Sequence, residues 1–290
     1  MRTTTRLRKM LEDPGIIVAP GAYDGISARL IEKHGFHAVY MTGAGTAASV
    51  LGQPDLGLTT MTEMVTHAGH LASCIAIPLI ADADTGYGNP LNVIRTIREY
   101  ERAGVAGCHL EDQVFPKKCG HIAGKAVIPA KEFAEKIRAA AENRTDPDFV
   151  IIARTDARAV NGIDDAIERG LLYREAGADV IFVEAPTSTE EIMRIAQEIK
   201  APLLSNQVAG GKTPPLTVKE LETLGYKIVL FPVMTLMAAT LAIEGALVNL
   251  QKQGTDWHDG PILSPMDIFQ KVGIDWWLQT EQEYSGSRRS

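Results

Sequence analysis

Two carboxylates one residue apart, Asp82 and Asp84 in the run IADADTGYG, are the first place where this sequence could do chemistry. At the end of a short apolar run, alternation turns both side chains to one side and Ala83 to the other. Paired carboxylates on one face ask for a cation. An oxygen-only set with Glu111 nearby suits Mg2+, or Mn2+, with waters and substrate oxygens completing an octahedron, whereas zinc would recruit Cys or His. The plain structural alternative is that one Asp caps the next helix and the other is solvated. Downstream, DQVFPKKCGHIAGKAVIP joins Asp112 to the next helical stretch through about sixteen residues, well beyond the usual two to six, and reads as a lid. It carries Lys117, Lys118, Cys119 and His121 between Pro116 and the glycines Gly120 and Gly124. A thiol amid positive charge is biased toward thiolate and can exchange a proton with a carbanion. Structural cysteines instead favour apolar runs, as Cys74 and Cys108 do. Arg154 in VIIARTD can grip a carboxylate with two parallel bonds, or pair with a neighbouring acid. His109 follows an apolar run and reads as support behind the carboxylates.

Residues so far apart in the chain need a scaffold that gathers them. Short apolar, β-branched runs recur at residues 16–19, 37–41, 77–81, 106–111, 149–153, 180–184, 202–206 and 227–231, each reading as a buried strand. Between them, residues such as Leu91, Ile94, Ile97 and Tyr100 keep helical spacing. Gly35, Gly104, Gly177 and Gly225 follow such stretches, where a left-handed residue ends a helix. Alternating units of this number predict a (β/α)8 TIM-type barrel, with a doubly wound sheet as the other topology. In a barrel the site lies at the strand C-termini, which here carry Thr42-Gly43-Ala44, Asp82 and Asp84, His109 to Asp112, Arg154 to Asp156, Glu184 and Asn206.

The chain has 290 residues, 45% hydrophobic and 22% charged, with a net charge of −7, which argues for a globular enzyme and against a nucleic-acid partner. Three scattered cysteines offer neither a disulfide framework nor a CxxC metal site. The N-terminus lacks an apolar leader and no window approaches 18 apolar residues, so the expected location is cytoplasmic, with no membrane partner. Gly211-Lys212-Thr213 imitates the end of a P-loop, but the required first glycine falls at Asn206. Gly43 to Ala48 fits a loose dinucleotide pattern without an immediate helix or an acidic ribose partner, and reads instead as a carboxylate-binding backbone loop. The expected division is a catalytic barrel over 1–253, an apolar helical extension over 254–284 packing on a neighbouring subunit, and a disordered tail over 285–290.

The segments YMTGAGTAASVLGQPDLGLTTM, IADADTGYGNP, HLEDQVFPKKCGH, IIARTDA and FVEAP together resemble the isocitrate lyase / phosphoenolpyruvate mutase superfamily, over most of residues 10–250. Within it the chain is most similar to lyases of dialkylmalates, with methylisocitrate lyases and carboxyphosphonoenolpyruvate mutases as neighbours. The resemblance implies Mg2+ held by Asp82 and Asp84 with Asp55 and Glu111 around it. It implies Cys119 as proton donor, with Lys117 and Arg154 in the catalytic set. Thr42, Gly43, Ala44, Gly120, His121, Arg154, Glu184 and Asn206 would meet the substrate, a small 2-hydroxy dicarboxylate split into a 2-keto acid and a simple carboxylate. Tyr40, near a strand end, is a candidate base, or a buried barrel residue. Homotetramers exchanging a C-terminal helix are also implied. Two departures bear on substrate: Ala209 stands where such lyases often carry glutamate, and Met237 where methylisocitrate lyases carry an arginine for a third carboxylate. Other superfamily chemistries, namely methylisocitrate cleavage, oxaloacetate hydrolysis or decarboxylation and P–C bond formation, reuse the same metal site. A barrel that has lost catalysis and only binds ligand is the non-enzymatic alternative.

Overall fold

The computed structural model describes residues 1–120, 122–257 and 260–286. Eight parallel strands, β1 Ile17–Ala22, β2 Val39–Met41, β3 Leu79–Asp82, β4 Gly107–Glu111, β5 Val150–Thr155, β6 Val180–Val183, β7 Leu203–Asn206 and β8 Ile228–Phe231, close into a barrel in sequence order, β8 pairing with β1. The expected runs all became strands, with ends shifted by up to three residues, most at β1, which runs on to Ala22. The helices are α1 Thr3–Glu12, α2 Gly25–Lys33, α3 Gly43–Thr46, α4 Met61–Cys74, α5 Pro90–Arg102, α6 Ala130–Asn143, α7 Ala157–Asn161, α8 Ile163–Glu175, α9 Thr189–Glu198, α10 Val218–Thr223, α11 Met234–Gln253, α12 Pro265–Lys271 and α13 Ile274–Gly286.

Alternation along each strand divides the apolar residues between two cores. Ile17, Ala19, Tyr40, Ile80, Ile152, Phe182, Leu204 and Leu230 fill the barrel interior with Leu7 of α1. Val39, Met41, Leu79, Ala81, Ile151 and Ile181 face the surrounding helices. Each fully buried aliphatic side chain contributes about 1.5–3 kcal/mol. Helix starts are fixed by reciprocal capping at Asp24, Thr60, Asn89 and Thr217, each cap contributing about 1 kcal/mol. The helix-ending glycines Gly35, Gly104, Gly177 and Gly225 do adopt positive φ, between 82° and 109°.

Two expectations are corrected. The segment after β2 is helical at once: Thr42 Oγ1 accepts from Gly45 N at 3.3 Å, starting α3, and a π-helical turn, Ala47–Leu51, continues it. Its glycines disguised a capped turn as a loop. And α11 is, among the described residues, the one helix long and apolar enough to cross a membrane by length and composition. Searching for uninterrupted apolar residues missed it because Thr240, Glu244, Gly245 and Asn249 are interspersed, and an apolar helix of this kind serves equally well in protein packing.

The chain divides into two compact units, Met1–Leu236 and Met237–Ser290. In the second, Leu241, Ile243, Leu247, Trp276 and Trp277 are exposed, the two indoles meeting edge to face with centroids 4.7 Å apart. Residues 287–290 of the tail expected to be disordered lie outside the described residues.

Candidate active site

The carboxylates gather at the C-terminal mouth, though Asp84 arrives by a different route than strand alternation. β3 ends at Asp82, and Asp84 takes a left-handed conformation, φ 46°, with its N–H donating to Asp82 Oδ1 at 2.9 Å. A non-glycine residue held there stores of the order of 1–3 kcal/mol, a cost that clusters at functional sites. Both aspartates are buried. Burial pushes the Asp84 carboxyl up to about 6, against the pull of Lys117. At Asp82 the burial cost is outweighed by His109, Lys117 and Arg154, so its carboxyl lies below the usual range. Gly43 explains itself here, since a Cβ would stand 2.2 Å from Asp82 Oδ2.

Whether these residues fit a divalent cation can be judged from Glu111. It is fully buried, Oε1 has no hydrogen-bond partner, and Oε2 faces Arg154 Nη1 at 3.3 Å. Burial drives its carboxyl well above the usual range, only partly offset by Arg154 and Lys117. A buried acid so short of donors is completed by further positive charge. Among the described residues no three of His, Cys, Asp or Glu converge as a ready cage, so an ion here would keep waters, as Mg2+ readily does. The residues fit that ion.

Tyr40 is buried in the barrel with its hydroxyl 2.7 Å from His109 Nε2. Burial, then Asp82, push the phenol well upward. His109, whose Nε2 is 3.6 Å from Asp82 Oδ1, is held neutral by burial, at about 4. It stands behind the carboxylates, as expected.

The lid rises from an antiparallel bridge, Gln113 to Val127, and comes down on the mouth at three points. Lys117 Nζ lies 2.6 Å from Asp55 Oδ1 and 2.7 Å from Asp84 Oδ1. The Cys119 N–H donates to the Asp55 carbonyl at 3.1 Å. Gly120 is pressed against the rim, where a Cβ would meet Glu184 Oε1 at 2.1 Å and Arg154 Nη2 at 2.8 Å. The expected positive field around Cys119 is altered: two aspartates claim Lys117, and Lys118 Nζ turns to the Gly124 carbonyl at 2.9 Å. His121 lies outside the described residues.

Arg154 realises the ion-pair option. Its Nε and Nη2 reach Asp156 at 2.9 and 3.2 Å, and its guanidinium stacks over Phe182, 5.2 Å from the ring centroid. Glu184 Oε2 accepts from Asn206 Nδ2 at 3.3 Å, beside the left-handed Ala185. Sequence reasoning missed what lies behind Arg154. Asp156 is clamped by its N–H to Asp112 Oδ1 at 2.9 Å, while Asp112 Oδ2 accepts from Thr155, Tyr173 and Arg169 at 2.7, 2.8 and 3.1 Å. Lys125 Nζ closes the cluster at 2.6 Å from Asp156 Oδ1. A cue existed in the run of acids at consecutive strand ends, but pairing Arg169 with Asp112 needs the fold.

A closed parallel barrel with an acidic mouth, a buried arginine and a lysine-bearing loop folded over it defines a (β/α)8 enzyme. The chain belongs to the phosphoenolpyruvate phosphomutase family, whose profile matches residues 7–251. It is 47% identical to the 2,3-dimethylmalate lyase of Eubacterium barkeri over 99% of this chain and 100% of that one. It is 49% identical to the 2-methylisocitrate lyase of Aeropyrum pernix over 86% of this chain and 80% of that one. Among solved structures, oxaloacetate acetylhydrolase bound to 3,3-difluorooxalacetate superposes with a TM-score of 0.94 at 40% identity, covering 98% of this chain and 97% of that one. Phosphonopyruvate hydrolase complexed with oxalate and Mg2+ superposes with a TM-score of 0.89 at 31% identity, covering 98% and 99%. The expectations of a (β/α)8 barrel, of this superfamily and of an enzyme among its lyases are borne out.

Proposed function

We propose that this chain is a Mg2+-dependent carbon–carbon lyase that cleaves a small 2-hydroxy dicarboxylate of the 2,3-dimethylmalate kind into a 2-keto acid such as pyruvate and a simple carboxylate. The observation that supports the reading best is the seating of Gly120, the residue after Cys119, against Glu184 and Arg154, with the Cys119 N–H donating to the Asp55 carbonyl. When bound, Mg2+ would be held by Asp82 and Asp84, with Asp55 and Glu111 around it, and would supply Lewis acidity to the 2-hydroxy carboxylate. Backbone groups of Thr42, Gly43 and Ala44 receive that carboxylate. Tyr40, whose hydroxyl lies 2.7 Å from His109 Nε2, is the candidate base for the hydroxyl proton. The C2–C3 bond then breaks, the hydroxyl carbon becomes the ketone, and the electron pair passes to the carbon bearing the second carboxylate. Arg154 stabilises that dianion, and Glu184, Asn206 and Gly120 line its pocket. The Cys119 thiol protonates the carbon, with Lys117 holding the lid down and water out.

Size selectivity follows from charge. Among the described residues, the cations at the mouth, Lys117, Lys125 and Arg154, are each already paired with carboxylates. A third substrate carboxylate would find no counterion, in keeping with Met237 in place of an arginine. With Mg2+ present, kcat/KM for 2,3-dimethylmalate should exceed that for methylisocitrate by on the order of 10²-fold, followed by 2-keto acid release. Equal values would defeat the dicarboxylate reading. The likeness to oxaloacetate acetylhydrolase supports oxaloacetate hydrolysis as a second reading, and formation of oxalate and acetate when oxaloacetate is supplied as substrate would select it. We place the enzyme in the cytoplasm as a homotetramer exchanging its apolar C-terminal helices.

A further inference from the structure

The structure assigns a role to Lys125, a residue outside the substrate-contacting set. We propose that Lys125 is a positioning residue: its ammonium fastens the closed lid to the barrel by bridging Asp156, the carboxylate that holds Arg154, to the carbonyl of Gly120. The inference rests on the lyase reading for its consequence in turnover, and on geometry alone for the latch.

Lys125 follows Gly124, whose φ of 75° turns the lid back toward its stem. Its side chain is only 1% exposed, and its Nζ donates to Asp156 Oδ1 at 2.6 Å and to the Gly120 carbonyl at 2.7 Å. One end of this bridge is immobile. Asp156 is held by Asp112, which is itself held by Thr155, Tyr173 and Arg169. Arg154 and Lys125 outweigh the cost of burying Asp156 and keep its carboxyl at about 2, so the anchor stays charged. The other end is the residue after Cys119, seated so closely on the rim that a Cβ on Gly120 would overlap Glu184 and Arg154. Lys125 therefore ties the position of the lid thiol to the same carboxylate that orients the substrate arginine. The second lid lysine, Lys117, fastens the opposite stem to Asp55 and Asp84, and the tip between them is drawn down at both sides.

Without Lys125 the Gly120 carbonyl loses its charged donor and the lid should open more often, while Arg154 still holds Asp156 and the barrel keeps its fold. The test compares wild type, Lys125→Met and Lys125→Arg as full-length, Mg2+-loaded enzyme. Trypsin cleavage after Lys117 and Lys118 reports lid opening without any substrate. At a temperature well below the unfolding transition of each protein, Lys125→Met is expected to be nicked there about tenfold faster than wild type, and Lys125→Arg to restore most of the protection. With 2,3-dimethylmalate, kcat for Lys125→Met should fall about tenfold, with the arginine variant again intermediate. Wild-type nicking in Lys125→Met, or faster nicking with wild-type kcat, overturns the proposal. Should Lys125→Met fail to fold, nicking of Lys125→Arg as fast as that of wild type denatured in urea would overturn it equally. If wild type shows no lyase activity at all, the functional reading falls, and the nicking rates still decide the latch.

Discussion

Asp84 shows how much a single residue is asked to do: it adopts a left-handed backbone, is buried with its carboxyl pushed up to about 6, and pairs with the ammonium of Lys117. Asn tolerates the same backbone and nearly the same volume, so Asp84→Asn isolates the charge. We expect turnover to fall by on the order of 10²-fold or more with the melting temperature retained, and Mg2+ titration calorimetry to show weakened binding. Full activity in metal-free buffer would sink the metal assignment. Cys119→Ser should bind substrate nearly as well as wild type yet turn over on the order of 10²-fold slower, because a serine hydroxyl is a far weaker acid at the same point. An unchanged rate would make the thiol a bystander. These positions were legible because residue type and strand-end placement together name a chemistry. The link between Lys125 and Asp156 was not, since neither spacing nor residue type reveals that a lid lysine folds back onto the carboxylate beside Arg154.

Among the elements, the eight strands could be read from the sequence because buried parallel strands are runs of β-branched residues, and the unit count was reinforced by glycines that do end helices. The start of α3 was hidden, because Gly43 and Gly45 are there for steric reasons, under Asp82 and against Thr42, while the Thr42 cap makes the turn. Close approach likewise explains Gly21 in β1. Its φ is ordinary, yet a Cβ would stand 1.8 Å from the Pro232 carbonyl oxygen, where β1 meets the end of β8. Gly21→Ala must spread the seam that closes the barrel, and should cost about 2 kcal/mol or more in urea unfolding. A cost below about 0.5 kcal/mol, the range of ordinary surface changes, would show that the seam yields freely.

At the scale of the molecule, the exposed apolar side of α11, with Ile243 and Leu247 at helical spacing, should be covered by other copies of the chain. Sedimentation velocity is expected to show an oligomer that Ile243→Glu combined with Leu247→Glu splits into smaller species; a wild-type monomer at micromolar concentration would refute the assembly. The sequence alone assigns Ile243 and Leu247 to the barrel and sees an apolar extension only from residue 254, because helical spacing does not reveal which faces the fold leaves exposed. The mouth has a consequence in time as well as in space. Asp55, Asp82, Asp84, Glu111, Asp156 and Glu184 face Lys117, Lys125 and Arg154, so acids outnumber bases two to one where an anionic substrate must land. A dianion approaching that field is repelled until a divalent cation has reversed part of it. Initial-rate patterns should therefore be ordered, cation first and organic acid second, and raising the acid concentration should never substitute for missing metal.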